Sequence, residues 1–138
     1  MDNKPIIIID DDNEDLELFK DALAQLNIDN EIIVFDDGFE FIDFIRATDN
    51  RAFLTLCDVN MTKINGLELK KIIYDDERLR LKCVPFIFLS TSGASTEVMR
   101  AYSFGVQGYF VKPSTFEELK DLLGYIIKYW SYSQVPKA

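Results

Sequence analysis

Short apolar runs alternate along the chain with longer segments in which apolar residues recur every three or four positions. A run of four or five apolar residues fits a strand that is buried on both faces, whereas the longer spacing is typical of a helix with one buried face. This alternation predicts a parallel sheet with crossover helices. We predict strands at residues 5–9, 31–35, 53–57, 85–89 and 108–111.

Each predicted strand is followed by a predicted helix. The first helix begins after Asp12, whose carboxylate suits the free N–H groups of a helix start, and it carries Leu16, Phe19 and Leu23 on one stripe. The later helices are predicted at 38–47, 66 to about 74, about 95–104 and 116 to about 130. The fold class is therefore α/β, with five βα units and helices on both faces of a five-stranded parallel sheet.

The size and charge of the chain limit the classes of function that it can have. At 138 residues it fits one domain, which we place at 1–130 with a C-terminal tail at 131–138. The net charge of −9 argues against nucleic-acid binding, because that affinity comes mainly from Lys and Arg. Residues 6–9 form the longest aliphatic run, which is far too short for a membrane span, and no signal-peptide pattern precedes it. We therefore expect a cytoplasmic protein with no membrane association.

The cysteines and the absence of histidine limit which side chains can carry out catalysis or bind a metal. Cys57 and Cys83 lie in or beside apolar stretches, so buried free thiols are expected rather than a disulfide. The chain contains no histidine, which removes the usual general base and the commonest zinc ligand. Chemistry must then depend on carboxylates, hydroxyls and lysine.

Polar side chains follow four of the five predicted strands. In an open parallel sheet, ligands bind beyond the carboxyl ends of the strands, so these residues should meet at one edge. They are Asp10, Asp11 and Asp12 after the first strand, Asp58 after the third, Ser90 and Thr91 after the fourth, and Lys112 after the fifth.

Clustered carboxylates repel one another unless a cation offsets their charge. Oxygen ligands without His or Cys select a hard ion, and a site with room for water and phosphate oxygens fits Mg²⁺ better than a Ca²⁺ cage. Alternatively, the acidic run only caps the first helix; Asp12 suits that role, whereas Asp10 and Asp11 are not needed for it.

Four segments together resemble the receiver domains of two-component response regulators. They are IIIIDD at 6–11, DVNMTKING at 58–66, FLSTS at 88–92 and GYFVKP at 108–113. The resemblance covers residues 5 to about 130. It implies the flavodoxin-like strand order 2-1-3-4-5 and a single-domain, chemotaxis-regulator-like protein that takes a phosphoryl group in a Mg²⁺-dependent reaction.

The resemblance also implies a role for individual residues. The catalytic residues would be Asp58 as the phosphoacceptor, Lys112, which would pair with the phosphoryl oxygens, and Ser90. Ser90 and Tyr109 would form the switch that senses phosphorylation. The Mg²⁺ ligands would be the Asp11 and Asp58 carboxylates and the Asn60 carbonyl, with Asp10 acting mainly through water. Local alternatives are a surface lysine at Lys112, a backbone cap at Ser90 and edge packing at Tyr109.

The chain departs from the family pattern at Thr62, where receivers usually have proline. The missing proline leaves φ at that position free, which bears on loop rigidity and not on the acceptor. The resemblance further implies a cis bond at Lys112–Pro113.

The expected output is contact with other proteins, since no DNA-binding or catalytic segment follows the last helix. The implied partners are a sensor histidine kinase or phosphotransfer protein and a downstream protein target, with Tyr102, Gln107 and Tyr109 as candidates for the signalling surface. A homodimer is a further hypothesis, which competes with packing on the domain's own flank. It depends on the aromatic residues Tyr125, Tyr129, Trp130 and Tyr132.

Three other functions compete with this interpretation. The sequence Asp58 to Thr62 resembles the DxDxT nucleophile motif of haloacid-dehalogenase phosphohydrolases, but the second Asp is Asn60 here and the order of the motifs differs. A flavodoxin-like flavin carrier would need a phosphate-binding loop after the first strand, where three aspartates would repel it. A receiver fold that signals without phosphorylation is the third.

Overall fold

A computed structural model describes residues 4–137 as a five-stranded sheet with six helices. The strands are β1 (Ile6–Ile9), β2 (Ile32–Phe35), β3 (Leu54–Cys57), β4 (Phe86–Ser90) and β5 (Gly108–Val111). The helices are α1 (Asn13–Ala24), α2 (Gly38–Ala47), α3 (Gly66–Asp75), α4 (Glu77–Lys82), α5 (Ser95–Ser103) and α6 (Phe116–Tyr132). None of these helices is both long and apolar enough to cross a membrane.

The sheet is parallel throughout, with the strand order β2-β1-β3-β4-β5. The predicted fold class and strand order are therefore confirmed. Four of the strands begin one residue later than predicted, and β4 extends to Ser90. All carboxyl ends of the strands lie at one edge, which is where the predicted chemistry was placed.

Helices cover both faces of the sheet because successive residues of a strand point to opposite sides. In β1, Ile6 and Ile8 pack under α1 and α6, whereas Ile7 and Ile9 pack under α2 and α3. All four isoleucines are buried. The uninterrupted apolar run is thus the sequence signature of a central strand with two cores, one on each face.

Helix α4 is absent from the sequence prediction, which ended the third helix near residue 74. Asp76 ends α3 and also caps α4, because its side chain accepts a hydrogen bond from the Leu79 N–H at 3.2 Å. Leu79 is buried, and the Lys82 ammonium donates to the Ile45 carbonyl at the end of α2 at 2.7 Å and also to the Thr48 carbonyl. Six residues hold too few turns for a recognisable period.

Arg51 binds the C-terminal segment at the end of the sheet that lies opposite the carboxyl ends of the strands. The guanidinium of this buried residue donates to the carbonyls of Ala52, Val84 and Pro136. The division into a domain at 1–130 and a tail at 131–138 stays a prediction, and residues 1–3 and 138 lie outside the described residues.

Candidate functional site

The predicted site residues stand at strand ends because their backbones continue the hydrogen bonding of the sheet. The Asp10 N–H donates to the Phe35 carbonyl at 3.0 Å, and the Asp58 N–H donates to the Ile9 carbonyl at 2.9 Å. The Lys112 N–H donates to the Ser90 carbonyl at 2.8 Å. The sheet therefore fixes four of the predicted side chains at one rim.

The Lys112 ammonium is the positive charge that lies among the clustered carboxylates. Its Nζ atom is 2.9 Å from Asp10 Oδ2 and 3.4 Å from Asp58 Oδ2. A third carboxylate, that of Asp15 in the first turn of α1, lies closest, at 2.7 Å. A surface lysine is thus excluded for Lys112, whose side chain is 10% exposed.

Asp58 presents a carboxylate that protein groups satisfy only in part. The residue is 8% exposed, and its Oδ1 atom is buried without a hydrogen-bond partner. Burial raises the pKa of this carboxyl above its usual range, and the Lys112 charge opposes that shift. A buried acceptor oxygen without a donor is costly, so this atom marks a place for an added group.

Burial also acts on the two neighbours of Asp58. It raises the pKa of Asp10, which is 1% exposed, to about 6, although hydrogen bonds from the Asp12 N–H and Lys112 counter the effect. For Lys112, burial alone would lower the pKa, but hydrogen bonds to Asp15 and Asp10 more than reverse this and leave it above its usual range. Lys112 therefore stays charged at neutral pH.

Asp11 reaches across to the loop that follows β3. Its Oδ2 atom accepts a hydrogen bond from the backbone N–H of Thr62 at 2.9 Å. The proline that receivers usually have at this position lacks the N–H and could not donate. Asn60 is exposed on the same loop, between Asp58 and Thr62.

The donor set fits a divalent ion only if backbone oxygens and water contribute. Within residues 4–137, no group of three or more Asp, Glu, Cys or His side chains is arranged to hold a metal ion. Two carboxylates, Asp11 and Asp58, a carbonyl at Asn60 and water would give the oxygen-rich, incomplete protein shell that Mg²⁺ accepts. The partnerless Asp58 Oδ1 favours such an ion, and the ligand assignment stays a prediction.

Ser90 and Tyr109 both contact the backbone of Ser92. The buried Ser90 hydroxyl accepts a hydrogen bond from the Ser92 N–H at 3.3 Å, so it does cap the segment after β4. The Tyr109 hydroxyl donates to the Ser92 carbonyl at 2.5 Å and lies 3.3 Å from a Glu97 oxygen. The Tyr109 ring also packs against Phe88, with centroids 5.9 Å apart.

The candidates for the signalling surface differ in accessibility. Tyr102 is exposed and Tyr109 is half-buried. Gln107 instead has a structural role. Its side chain accepts a hydrogen bond from the Phe86 N–H at 2.7 Å and donates one to the Gly105 carbonyl at 2.8 Å. Only Tyr102 of the three presents a freely accessible ring.

Three smaller predictions can be compared with the structure. Asp12 caps α1, as predicted, by accepting from the N–H groups of Glu14 and Asp15. Cys57 and Cys83 are free and buried, also as predicted. The cis peptide bond within the described residues is at Val84–Pro85, so Lys112–Pro113 does not adopt the cis form that the resemblance implied.

Asp15 is the site residue that the sequence did not reveal. Acidic residues in the first turn of a helix have a sufficient local explanation in the helix dipole. The contact of Asp15 with Lys112 joins residues 97 positions apart, which no local pattern encodes. The signal that was available is its position three residues after the Asp12 cap, on the same side of α1 as the strand ends.

Comparisons with known proteins find response regulators that are similar to this chain in sequence and in structure. The chemotaxis protein CheY1 of Helicobacter pylori is 31% identical over 123 residues, which cover 88% of this chain and 95% of CheY1. The phosphorylated cyanobacterial phytochrome response regulator RcpA has a similar structure, with a TM-score of 0.87 and 27% identity, covering 99% of this chain and 100% of RcpA. The Mn²⁺-bound form of response regulator Rcp1 gives a TM-score of 0.83 and 26% identity, covering 98% and 99% of the two chains.

The family model of the response regulator receiver domain matches residues 6–124, which include every predicted site residue. Its match spans most of the sequence and both faces of the sheet. With the strand order and the carboxylate–lysine cluster at the strand ends, this match shows that the chain belongs to the response regulator receiver domain family.

Proposed function

We propose that the protein is a phosphorylation switch that accepts a phosphoryl group on Asp58 from a sensor histidine kinase or phosphotransfer protein. The observation that carries this proposal is the Asp58 carboxylate, with one buried oxygen lacking a partner and the other 3.4 Å from the Lys112 ammonium. A carboxylate is a competent phosphoryl acceptor, and a fixed cation beside it stabilises the charge that the phosphoryl group brings.

In the proposed reaction, an Asp58 oxygen attacks the phosphorus atom of the donor. The new P–O bond forms an acyl phosphate, while the bond from phosphorus to the donor nitrogen breaks and its electron pair leaves with the donor. Lys112 pairs with the phosphoryl oxygens. The protein catalyses only this modification of itself and its reversal by water, so it is not an enzyme acting on a separate substrate.

Mg²⁺ is the proposed cofactor, and it would neutralise the charge that gathers on the phosphoryl oxygens. Asp11, Asp58 and the Asn60 carbonyl would hold the ion, with Asp10 acting through water. The Mn²⁺-bound form of Rcp1 and the partnerless Asp58 Oδ1 support a divalent ion here. The ammonium bound to Asp10 is the reason to expect only indirect help from that residue.

The proposed switch passes through Ser92, whose backbone is held by Ser90 on one side and Tyr109 on the other. If the Ser90 hydroxyl turns toward a phosphoryl group, its bond to the Ser92 N–H is lost. The Ser92 carbonyl then loses its fixed position opposite Tyr109. The Tyr109 ring can move, which would change the surface that includes exposed Tyr102.

The proposed partners are proteins: a kinase or phosphotransfer protein upstream and a protein target downstream. Nucleic acid is disfavoured by the charge of −9. Self-association is a secondary proposal, which rests on two exposed side chains of α6, Tyr125 at 70% and Tyr129 at 66%. Sedimentation with and without a phosphoryl mimic tests it, and a monomer in both conditions would reject it. The cytoplasmic location stays a prediction.

Incubation with acetyl phosphate and Mg²⁺, followed by intact-mass analysis, tests the main proposal. Wild type should gain one phosphoryl group only when Mg²⁺ is present, and Asp58→Asn should gain none. Asp21→Asn makes the same change at an exposed position of α1 and should behave as wild type. Equal labelling of Asp58→Asn would reject the acceptor, and an unlabelled wild type would favour a receiver fold that signals without phosphorylation.

A further inference from the structure

The Lys112 ammonium is shared by three carboxylates, and the one that it binds most closely is not the phosphoacceptor. The Nζ atom is 2.7 Å from Asp15 Oδ2, 2.9 Å from Asp10 Oδ2 and 3.4 Å from Asp58 Oδ2. The first two contacts are hydrogen bonds, whereas the third is an ion pair at a longer distance. Of the three carboxylates, that of Asp58 thus makes the longest and weakest contact with the Lys112 ammonium.

Asp15 is held in this position by the start of α1. The Asp12 side chain caps the helix and accepts from the Asp15 backbone N–H at 3.3 Å, which fixes the first turn. The Asp15 side chain is 29% exposed, against 1% for Asp10 and 9% for Asp58. Asp15 is thus the most exposed of the three carboxylates that contact Lys112.

We propose that Asp15 is a positioning residue that holds Lys112 away from Asp58 and so disfavours the phosphorylated state. This inference rests on the proposed function, in which Lys112 pairs with the phosphoryl oxygens on Asp58. An ammonium has three donors, and two of them are bound to Asp10 and Asp15 before any phosphoryl group arrives. One donor remains for the phosphoryl oxygens, but the Nζ atom is 3.4 Å from Asp58 Oδ2, so Lys112 must lengthen its contact with Asp15 to come closer to a group on Asp58.

The loss of this contact opposes phosphorylation because it occurs only in the phosphorylated state. A group that stabilises one of two states shifts the equilibrium by its difference in interaction free energy between them. Asp15 stabilises the Lys112 position of the unphosphorylated protein. Removal of its charge should leave Lys112 closer to Asp58 and should favour any anion bound there.

Glu14 provides a matched control for the general effect of charge. It precedes Asp15 in the same turn of α1 and carries the same charge, but it is exposed and its side chain makes no contact with Lys112 that the structure records. Glu14→Gln therefore removes one negative charge near the site without changing the position of Lys112. Asp15→Glu keeps the charge and serves as the conservative variant.

The dissociation constant for beryllofluoride, a phosphoryl mimic, measured by titration calorimetry at saturating Mg²⁺, tests the proposal. Asp15→Asn should bind roughly three- to tenfold more tightly than wild type, because a charge-assisted hydrogen bond is replaced by a weaker one. Glu14→Gln should stay within about twofold, since exposed charges interact weakly. Asp15→Glu should lie nearer to wild type than Asp15→Asn does.

The outcomes separate this inference from the proposed function. If wild type binds beryllofluoride but Asp15→Asn binds equally or more weakly, or if Glu14→Gln equals Asp15→Asn, the positioning role is rejected. If wild type binds none, the proposed function and the inference are rejected together. A crystal structure of the wild-type complex adds a direct measurement: Lys112 should have left Asp15, and an intact hydrogen bond would overturn the proposal even if Asp15→Asn were poorly folded.

Discussion

The backbone N–H of Thr62 donates a hydrogen bond to the Asp11 carboxylate across 2.9 Å. This contact links the acidic residues after β1 to the loop after Asp58, and it exists because Thr62 replaces the proline usual in receivers. A hydrogen bond from a group that does not itself bind the metal can orient a ligating carboxylate. Such a bond typically contributes about ten- to a hundredfold to metal affinity. Thr62 is thus a departure from the family pattern that directly contacts a predicted metal ligand.

Thr62→Pro should weaken Mg²⁺ binding about tenfold, because proline removes the donor and leaves Asp11 free to change rotamer. Titration calorimetry with Mg²⁺ alone measures the effect. Thr62→Ala keeps the backbone N–H and should bind like wild type. If the proline variant binds as tightly as wild type, Asp11 does not need this contact.

The sheet and the strand ends could be predicted because their signals are local. The four isoleucines of β1 and the polar residues that follow each strand are adjacent in sequence, and a parallel sheet brings all such ends to one edge. The order of the motifs then allowed comparison with a family. Their position along the chain was sufficient to place Asp10, Asp58 and Lys112 at this edge of the sheet.

The contacts that adjust the site could not be predicted, because they join distant residues whose local roles were already explained. Asp15 had a sufficient role at the start of a helix, and only the tertiary structure brings it to Lys112. The sequence at Thr62 predicts only a less rigid loop, whereas in the structure its backbone N–H is a donor for Asp11. Helix α4 was missed because six residues give no usable periodicity.

Gly66 is required for the close approach of α3 to the backbone of Asp58, the proposed phosphoacceptor. A Cβ atom at this position would lie 2.3 Å from the Asp58 carbonyl oxygen and 2.9 Å from the Val59 Cα atom, both of which belong to the backbone. Gly66→Ala should therefore lower the free energy of unfolding by about 2 to 3 kcal/mol, as overpacked cores do. Urea denaturation measures the loss.

Gly124 in α6 provides the opposite case for the same substitution. A Cβ atom there would lie 3.6 Å from Leu26 Cδ2, an ordinary contact, so Gly124→Ala should raise the free energy of unfolding by about 0.5 to 1 kcal/mol through helix propensity. Equal effects of the two variants would show that the approach to Asp58 is not tight.

Arg51 should hold the C-terminal segment, since its guanidinium donates to the carbonyls of Val84 and Pro136. Arg51→Met should lower the free energy of unfolding by roughly 2 to 3 kcal/mol, because two partly buried carbonyls lose charged donors. Limited proteolysis followed by mass analysis should also show faster cleavage after α6. Arg46→Met, at an exposed position of α2, is the control and should change neither measurement.

Lys70 is a buried amine that the proposed function does not use, and it should lower stability at neutral pH. Burial lowers its pKa from 10.5 to about 8, although the Phe86 and Tyr74 rings lie within 6 Å of the ammonium, at 5.6 and 5.8 Å. Between those two pKa values the unfolded chain binds a proton that the folded protein releases, so this residue makes stability rise with pH there. Below pH 8 both states are protonated, and the full cost of burying the charge is present.

Lys70→Met removes that charge and should raise the free energy of unfolding at pH 7 by about 1 to 3 kcal/mol. The advantage over wild type should shrink as the pH rises toward 10, because wild-type Lys70 is then neutral when folded. Urea denaturation of both proteins at pH 7 and pH 10 measures the difference. Lys71→Met removes an exposed charge paired with Asp75 and should show no such pH-dependent gain. A difference between Lys70→Met and wild type that is equal at the two pH values would mean that the packing of methionine, and not the loss of a buried charge, accounts for the gain.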